Sequence, residues 1–195
     1  MLDKINVGQN RVISRRAVLC AGALGGLLIP AASAAARAAL SAMPDTGTFS
    51  ITFRNQHTGE SFSGAYKVGT RYIPEAFEKI NYVLRDFRTG EVFPIDPRVI
   101  DMMYLAQQNA GVRGAYEVLS GYRSARTNAM LGTSSGAVAS NSLHMTGQAI
   151  DLRLPGIATN RLADITTGLR VGGVGYYRRS NFVHMDTGQV RRWSV

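Results

Sequence analysis

Ser142-Leu143-His144-Met145-Thr146-Gly147-Gln148-Ala149-Ile150-Asp151-Leu152 and Asn181-Phe182-Val183-His184-Met185-Asp186 are the two stretches on which this 195-residue chain turns. They hold two of its three histidines. The six residues between His144 and Asp151 are too many for one helical face, where partners fall three or four apart. Thr146-Gly147 implies a turn, so His144 sits on a loop and Asp151 on a strand over Ala149–Leu154. In the second stretch, strand alternation sends His184 and Asp186 to the same face. With the strands as neighbours, His184 arrives beside Asp151. Two imidazoles and a carboxylate suit zinc and leave one position of a tetrahedron open, as in catalytic rather than structural sites. No cysteine lies near either stretch, which excludes a closed thiolate site.

Outward from this centre the pattern alternates between the two regular structures. Val171–Tyr177 and Asn181–Asp186 read as a closing hairpin, and residues 160–170 as a helix before it. Upstream, Phe49–Phe53 alternates as a half-buried strand does. His57-Thr58-Gly59-Glu60 is a turn, and Ser61–Val68 is the returning strand. Pro74 opens a helix predicted to reach about Arg88, with Ala76, Phe77, Ile80, Val83, Leu84 and Phe87 at helical spacing. Asp96-Pro97 is a cap followed by proline at the first helical position, opening a helix to about Asn109. Tyr116–Leu119 is a short strand delivering Ser120-Gly121-Tyr122-Arg123-Ser124. The Gly, Ser, Thr and Asn of residues 132–142 read as a loop ahead of His144. No repeat and no second domain is visible.

The first residues read differently. Ser14-Arg15-Arg16-Ala17 opens an apolar run to Ala36, the pattern of an export signal with the paired arginines of the twin-arginine route. Ala32-Ser33-Ala34 and Ala36-Arg37-Ala38 are candidate cleavage sites. Gly22, Gly25, Gly26 and Pro30 interrupt the run and argue against a stable membrane anchor. Cys20, the one cysteine, begins the run instead of ending it, which argues against lipid attachment. The expected organisation is a signal over residues 1–38, a linker over 39–47 and a single domain over 48–195. The net charge of +9 is arginine-rich but scattered, with no basic run interleaved with aromatics. Nucleic acid is therefore not the expected partner, whereas an anionic polymer is compatible.

The motifs Ser142-x-His144-x-x-Gly147-x-Ala149-x-Asp151, Gly172–Tyr177 and Asn181–Gly188 together resemble the murein endopeptidase K family. Ser120–Ser124, the His57–Glu60 turn and the twin-arginine signal add to the likeness, which covers essentially the whole chain. The wider clan is the zinc peptidases that cut D-alanyl-D-alanine, similar in fold to the Hedgehog signalling domain. The resemblance implies an α+β fold with a small, mostly antiparallel sheet and flanking helices. It implies His144, Asp151 and His184 as ligands of a zinc cofactor. It also implies a periplasmic enzyme of a Gram-negative type of envelope, acting on peptidoglycan stem-peptide cross-links. The bonds implied are diaminopimelate–diaminopimelate or D-Ala–diaminopimelate.

One position departs from the clan. Members that trim D-Ala-D-Ala carry a Glu or Asp general base three residues before the last ligand, where this chain has Asn181. Asp186 is then the nearest carboxylate, either as base or as the group orienting a ligand. Arg123 reads as a fork for a substrate carboxylate or for the polarised carbonyl, with a plain surface arginine as the alternative. His57 reads as structural. Tyr176 and Tyr177 read as core or groove wall. Asn181 also leaves open a different class of function: a catalytically silent, zinc-containing module that only binds peptidoglycan.

Overall fold

The computed structural model describes residues 43–135 and 139–195. The export signal expected over residues 1–38 and the first part of the linker lie outside the described residues. Among the described residues no helix is long and apolar enough to cross a membrane.

The fold is α+β, with eight strands in one sheet. In chain order they are β1 (Thr48–Asn55), β2 (Ser61–Val68), β3 (Arg71–Tyr72), β4 (Tyr116–Ser120), β5 (Ala149–Arg153), β6 (Gly173–Tyr177), β7 (Phe182–Asp186) and β8 (Arg191–Ser194). Across the sheet they run β3-β2-β1-β4-β5-β7-β6-β8. The helices are α1 (Pro74–Val83), α2 (Pro97–Ala110), α3 (Ala125–Ser135) and α4 (Thr159–Gly168). The expectation of a small, mostly antiparallel sheet holds only in part. β1 pairs with β4, and β6 with β8, in parallel. The first parallel pair follows from the crossover through α1 and α2. The second arises because the chain turns back after β7 and lays β8 outside β6.

Alternation in β1 buries Phe49, Ile51 and Phe53 on one face. Ile150 and Leu152 of β5, with Val183 and Met185 of β7, continue that face and pack with α2 and α4. Each fully buried aliphatic side chain contributes about 1.5–3 kcal/mol. Asp101 of α2 is buried too, but its carboxylate accepts from Tyr66 (2.8 Å), Tyr72 (2.6 Å) and Lys67 (3.1 Å). That satisfies a charge which would otherwise be costly to bury.

α2 begins as its cap predicts: the Asp96 carboxylate accepts from the Arg98 N–H, and Gly111 ends the helix at φ 64°. α1 is shorter than expected. Its continuation past Val83 would need the carbonyls of Val83 and Leu84, and both are taken. Asn55 Nδ2 donates to the first at 3.0 Å, and the Tyr122 N–H to the second at 2.8 Å. α3 was not expected. Its start is capped by Ser124, whose hydroxyl oxygen accepts from the Thr127 N–H at 3.2 Å. The helix runs through Ser135, so the loop expected from residue 132 starts later. β8 was also not expected.

Candidate metal centre

β5 and β7 are antiparallel neighbours with Asp151 opposite His184 and Ala149 opposite Asp186. Since Ile150, Leu152, Val183 and Met185 face the core, Asp151, His184 and Asp186 face the other way. His144 reaches the same point from a 3₁₀ turn over Leu143–Thr146. Gly147 closes that turn at φ 65°, and a Cβ there would lie 2.1 Å from the Pro94 carbonyl oxygen. Only glycine fits. The Asp96 N–H donates to Gly147 O at 2.9 Å, and the Thr187 hydroxyl donates to the Asp96 carboxylate at 2.8 Å. One residue at the start of α2 thus braces both segments that converge on the centre. The His144 Nδ1 lies 2.7 Å from the Gly121 carbonyl, which makes Nδ1 the protonated nitrogen and turns Nε2 to the centre.

Three atoms converge. His144 Nε2 is 3.2 Å from His184 Nδ1 and 3.3 Å from Asp151 Oδ1, and His184 Nδ1 is 2.8 Å from Asp151 Oδ1. Zinc bonds of about 2.0–2.1 Å at tetrahedral angles set neighbouring ligand atoms about 3.3 Å apart. The triangle therefore fits a zinc ion in spacing and in donor chemistry, and it is the one such His/Cys/Asp/Glu group among the described residues. Burial alone would raise the Asp151 carboxyl, but the imidazoles, His144 foremost, hold it well below the usual carboxylate range. Burial likewise opposes a charged His184. Its hydrogen bonds to Asp151 and Asp186 outweigh this and push it up to about 9.

Asp186 stands behind His184. It is 0% exposed. Its Oδ2 lies 3.0 Å from His184 Nε2 and accepts from Arg191 at 2.7 Å. Its Oδ1 accepts from the N–H groups of Gly173 and Gly188 and from Arg191. Both oxygens are engaged, on the far side of the imidazole from the triangle. Burial raises this carboxyl, but the bonds from His184 and Arg191 prevail and hold it at about 2.

Arg123 borders the same cleft, of about 490 Å³, together with Ser142, Tyr177 and Trp193. Its backbone is placed from below. A Cβ at Gly121 would lie 2.5 Å from the Leu84 carbonyl oxygen. The buried Asp86 carboxylate accepts from the Ser124 N–H (2.9 Å), the Ser124 hydroxyl (2.6 Å) and the Arg88 N–H (2.9 Å). The guanidinium itself is poorly satisfied. It lies 3.4 Å from Asn128 Oδ1 and Ser120 Oγ, and 3.7 Å from Asp151 Oδ2. Among the described residues nothing accepts from its buried Nε. A buried fork with long or missing partners is available to an oxygen in the cleft.

The family profile described as peptidoglycan L,D-endopeptidase MepK matches residues 44–193. The chain belongs to this family. It is 46% identical to the "Probable peptidoglycan L,D-endopeptidase MepK" of Haemophilus influenzae over 144 residues, covering 73% of this chain and 77% of that protein. It is 39% identical to the "Peptidoglycan L,D-endopeptidase MepK" of Escherichia coli K12 over 192 residues, covering 98% of this chain and 100% of that one.

Within this MepK-family fold, the glycines of β6 have a local purpose. On the face of the centre, Asp151, His184, Gly175 and Trp193 form one row across β5, β7, β6 and β8. Gly175 leaves a gap, and the indole fills it: a Cβ there would lie 2.5 Å from the ring. The indole reaches His184 with ring centroids 5.3 Å apart. Two residues along, Arg191 crosses Gly173 in the same way to reach Asp186, and a Cβ at Gly173 would lie 2.4 Å from its guanidinium. Arg191 and Trp193 are the site residues that sequence reasoning missed. The available signal was two glycines at strand spacing, followed after β7 by a short Arg-x-Trp segment.

The remaining expected residues fall outside the cluster. His57 stacks on Phe87 at 4.0 Å. Tyr176 packs against the core, whereas Tyr177 lines the cleft. Asn181 sits at φ 52° in the turn before β7, and its side chain bonds Thr159 at the start of α4. It does not line the cleft, so an acid at that position with the same orientation would not face the centre.

Proposed function

We propose that this chain is a zinc-dependent peptidoglycan endopeptidase, hydrolysing diaminopimelate–diaminopimelate or D-Ala–diaminopimelate cross-links. The observation that carries the reading is the convergence of His144, Asp151 and His184 on one point, opening on a cleft with Arg123, whose buried Nε has no acceptor among the described residues. Membership of the MepK family and the activity for which its relatives are named support the substrate class. His144 Nε2, Asp151 Oδ1 and His184 Nδ1 would hold the ion. Zinc bound there supplies Lewis-acid polarisation of a carbonyl and a water activated near neutral pH.

The chain's own groups do the rest. Arg123 donates to the oxygen on which negative charge develops, a role for which a pre-placed, undersatisfied donor is suited. Asp186 keeps His184 in the orientation that aims Nδ1 at the ion. This assigns it the orienting role of the two left open by the sequence, because neither of its oxygens is free to take a proton. A carboxylate of the substrate, which stem peptides carry, would take the proton of the attacking water and return it to the amine that leaves as the C–N bond breaks. Residues 1–38 would act as a twin-arginine signal, removed on export, and deliver the domain of residues 48–195 to the periplasm.

The reading of a silent binding module draws on one observation: among the described residues no unengaged carboxylate lines the cleft. Digestion of purified sacculi by zinc-loaded protein, with products separated and weighed by mass spectrometry, decides between them. Release of uncrosslinked stem peptides, abolished by chelation and by Asp151→Asn, supports the enzyme and identifies the bond. Binding to sacculi with no new product refutes it.

A further inference from the structure

The geometry points to Trp193 as a substrate-contacting wall of the cleft, one that takes the aliphatic stem of a residue flanking the scissile bond. The inference rests on the peptidase reading above and goes beyond it in naming what the far side of the cleft recognises. Trp193 is half-buried and lines the cleft, so its indole is not spent wholly on packing. It lies across Gly175 with its ring against that of His184. Arg191 packs on it as well, its guanidinium 4.9 Å from the indole while it forks the Asp186 carboxylate. Trp193 Nε1 faces the Tyr177 hydroxyl at 3.5 Å.

The surface that continues from the indole is aromatic as well. Tyr177 and Phe182, paired across β6 and β7, stack at 4.4 Å and both border the cleft. This side therefore presents three rings and no carboxylate, and Arg123 stands in the same cleft. Flat apolar rings accept methylene groups and amide planes without demanding directional partners, and Arg191, whose side chain is half-exposed at the rim of the cleft, can donate to an anionic end. The matching ligand is a side chain with a run of methylenes and a charged terminus, the chemistry of diaminopimelate in the proposed cross-link. The wall is rigid because two glycines admit it and an ion pair pins it, which suits selection by shape.

The rival role for Trp193 is that of a prop behind a metal ligand, and the two separate by experiment. Since Trp193 is the only tryptophan, indole emission of the zinc-loaded full chain reports on this wall directly. Titration with a stem tripeptide ending in diaminopimelate should change the emission saturably, and a tripeptide ending in alanine should do so far more weakly. On cross-linked muropeptides, Trp193→Ala should raise KM about tenfold with kcat within about threefold and zinc retained. Trp193→Phe should recover most of the KM. Unchanged emission, or loss of zinc from both variants, or a fall in kcat at constant KM, overturns the wall. If the titration saturates while the protein cuts no cross-link, the wall stands and the peptidase reading falls. If cross-links are cut with KM untouched by Trp193→Ala, the reverse holds.

Discussion

Asp86→Asn should detach the Arg123 turn from its support. The carboxylate is 2% exposed and accepts three short bonds, two of them from Ser124, the residue after Arg123. Burial raises this carboxyl, but the hydrogen bonds from Ser124 foremost outweigh it and hold it at about 2, against an ordinary 3.8. A shift of that size corresponds to about 2–3 kcal/mol favouring the charged form in the fold. Asparagine forfeits it and turns an N–H₂ toward existing donors, so the expected cost is about 2–4 kcal/mol, or about 4–16 °C in Tm for a domain of this size. The sign with pH is fixed. The folded carboxyl is depressed, so its contribution is complete above about pH 4 and is lost as pH falls toward 2. The gap between wild type and variant should therefore be constant from pH 5 to 7, narrow below about pH 4 and close only below about pH 2. Thermal unfolding followed by circular dichroism across that range measures it. At 25 °C the variant should keep zinc and lose turnover, since Arg123 moves and the triangle does not. A variant with wild-type Tm at pH 7 and wild-type kcat would refute the account of how Arg123 is placed.

Three further outcomes follow from the site. Arg123→Ala should retain zinc by metal analysis and lose about 10²-fold or more in kcat on cross-linked muropeptides, the size of a lost oxyanion donor. Asp186→Asn should weaken zinc about 10–100-fold in a competitive chelator titration, with the fully loaded variant keeping much of its turnover. Unchanged affinity with lost turnover would make Asp186 the base. Replacing Arg15 and Arg16 together by lysine should leave the precursor in the cytoplasm by fractionation, and normal export would exclude the twin-arginine route.

The centre was legible in the sequence because its signals are local. The turn at Thr146-Gly147, the strand carrying Asp151 and the alternation of His184 with Asp186 are each written within a few residues. The Asp96-Pro97 start of α2 is equally local. What escaped depends on distant partners. The periodicity of Leu84 and Phe87 extends the first helix on paper, but Asn55 and Tyr122 take the carbonyls it would need. α3 has no strong apolar face, and only the Ser124 cap marked it. Trp193 and Arg191 acquire meaning only once β8 is known to lie beside β6, where Gly173 and Gly175 make room for them. Asp186 illustrates the same limit: alternation placed it on the correct face, but its five donors come from four separate residues.

The most direct test of the central claim is anomalous diffraction at the zinc edge from crystals of the zinc-loaded protein. The account predicts a single strong peak about 2.0–2.2 Å from His144 Nε2, Asp151 Oδ1 and His184 Nδ1, with Asp186 outside the coordination sphere. A peak coordinated by Asp186, a peak elsewhere such as at His57, or none at the triangle in protein shown to contain zinc would contradict it.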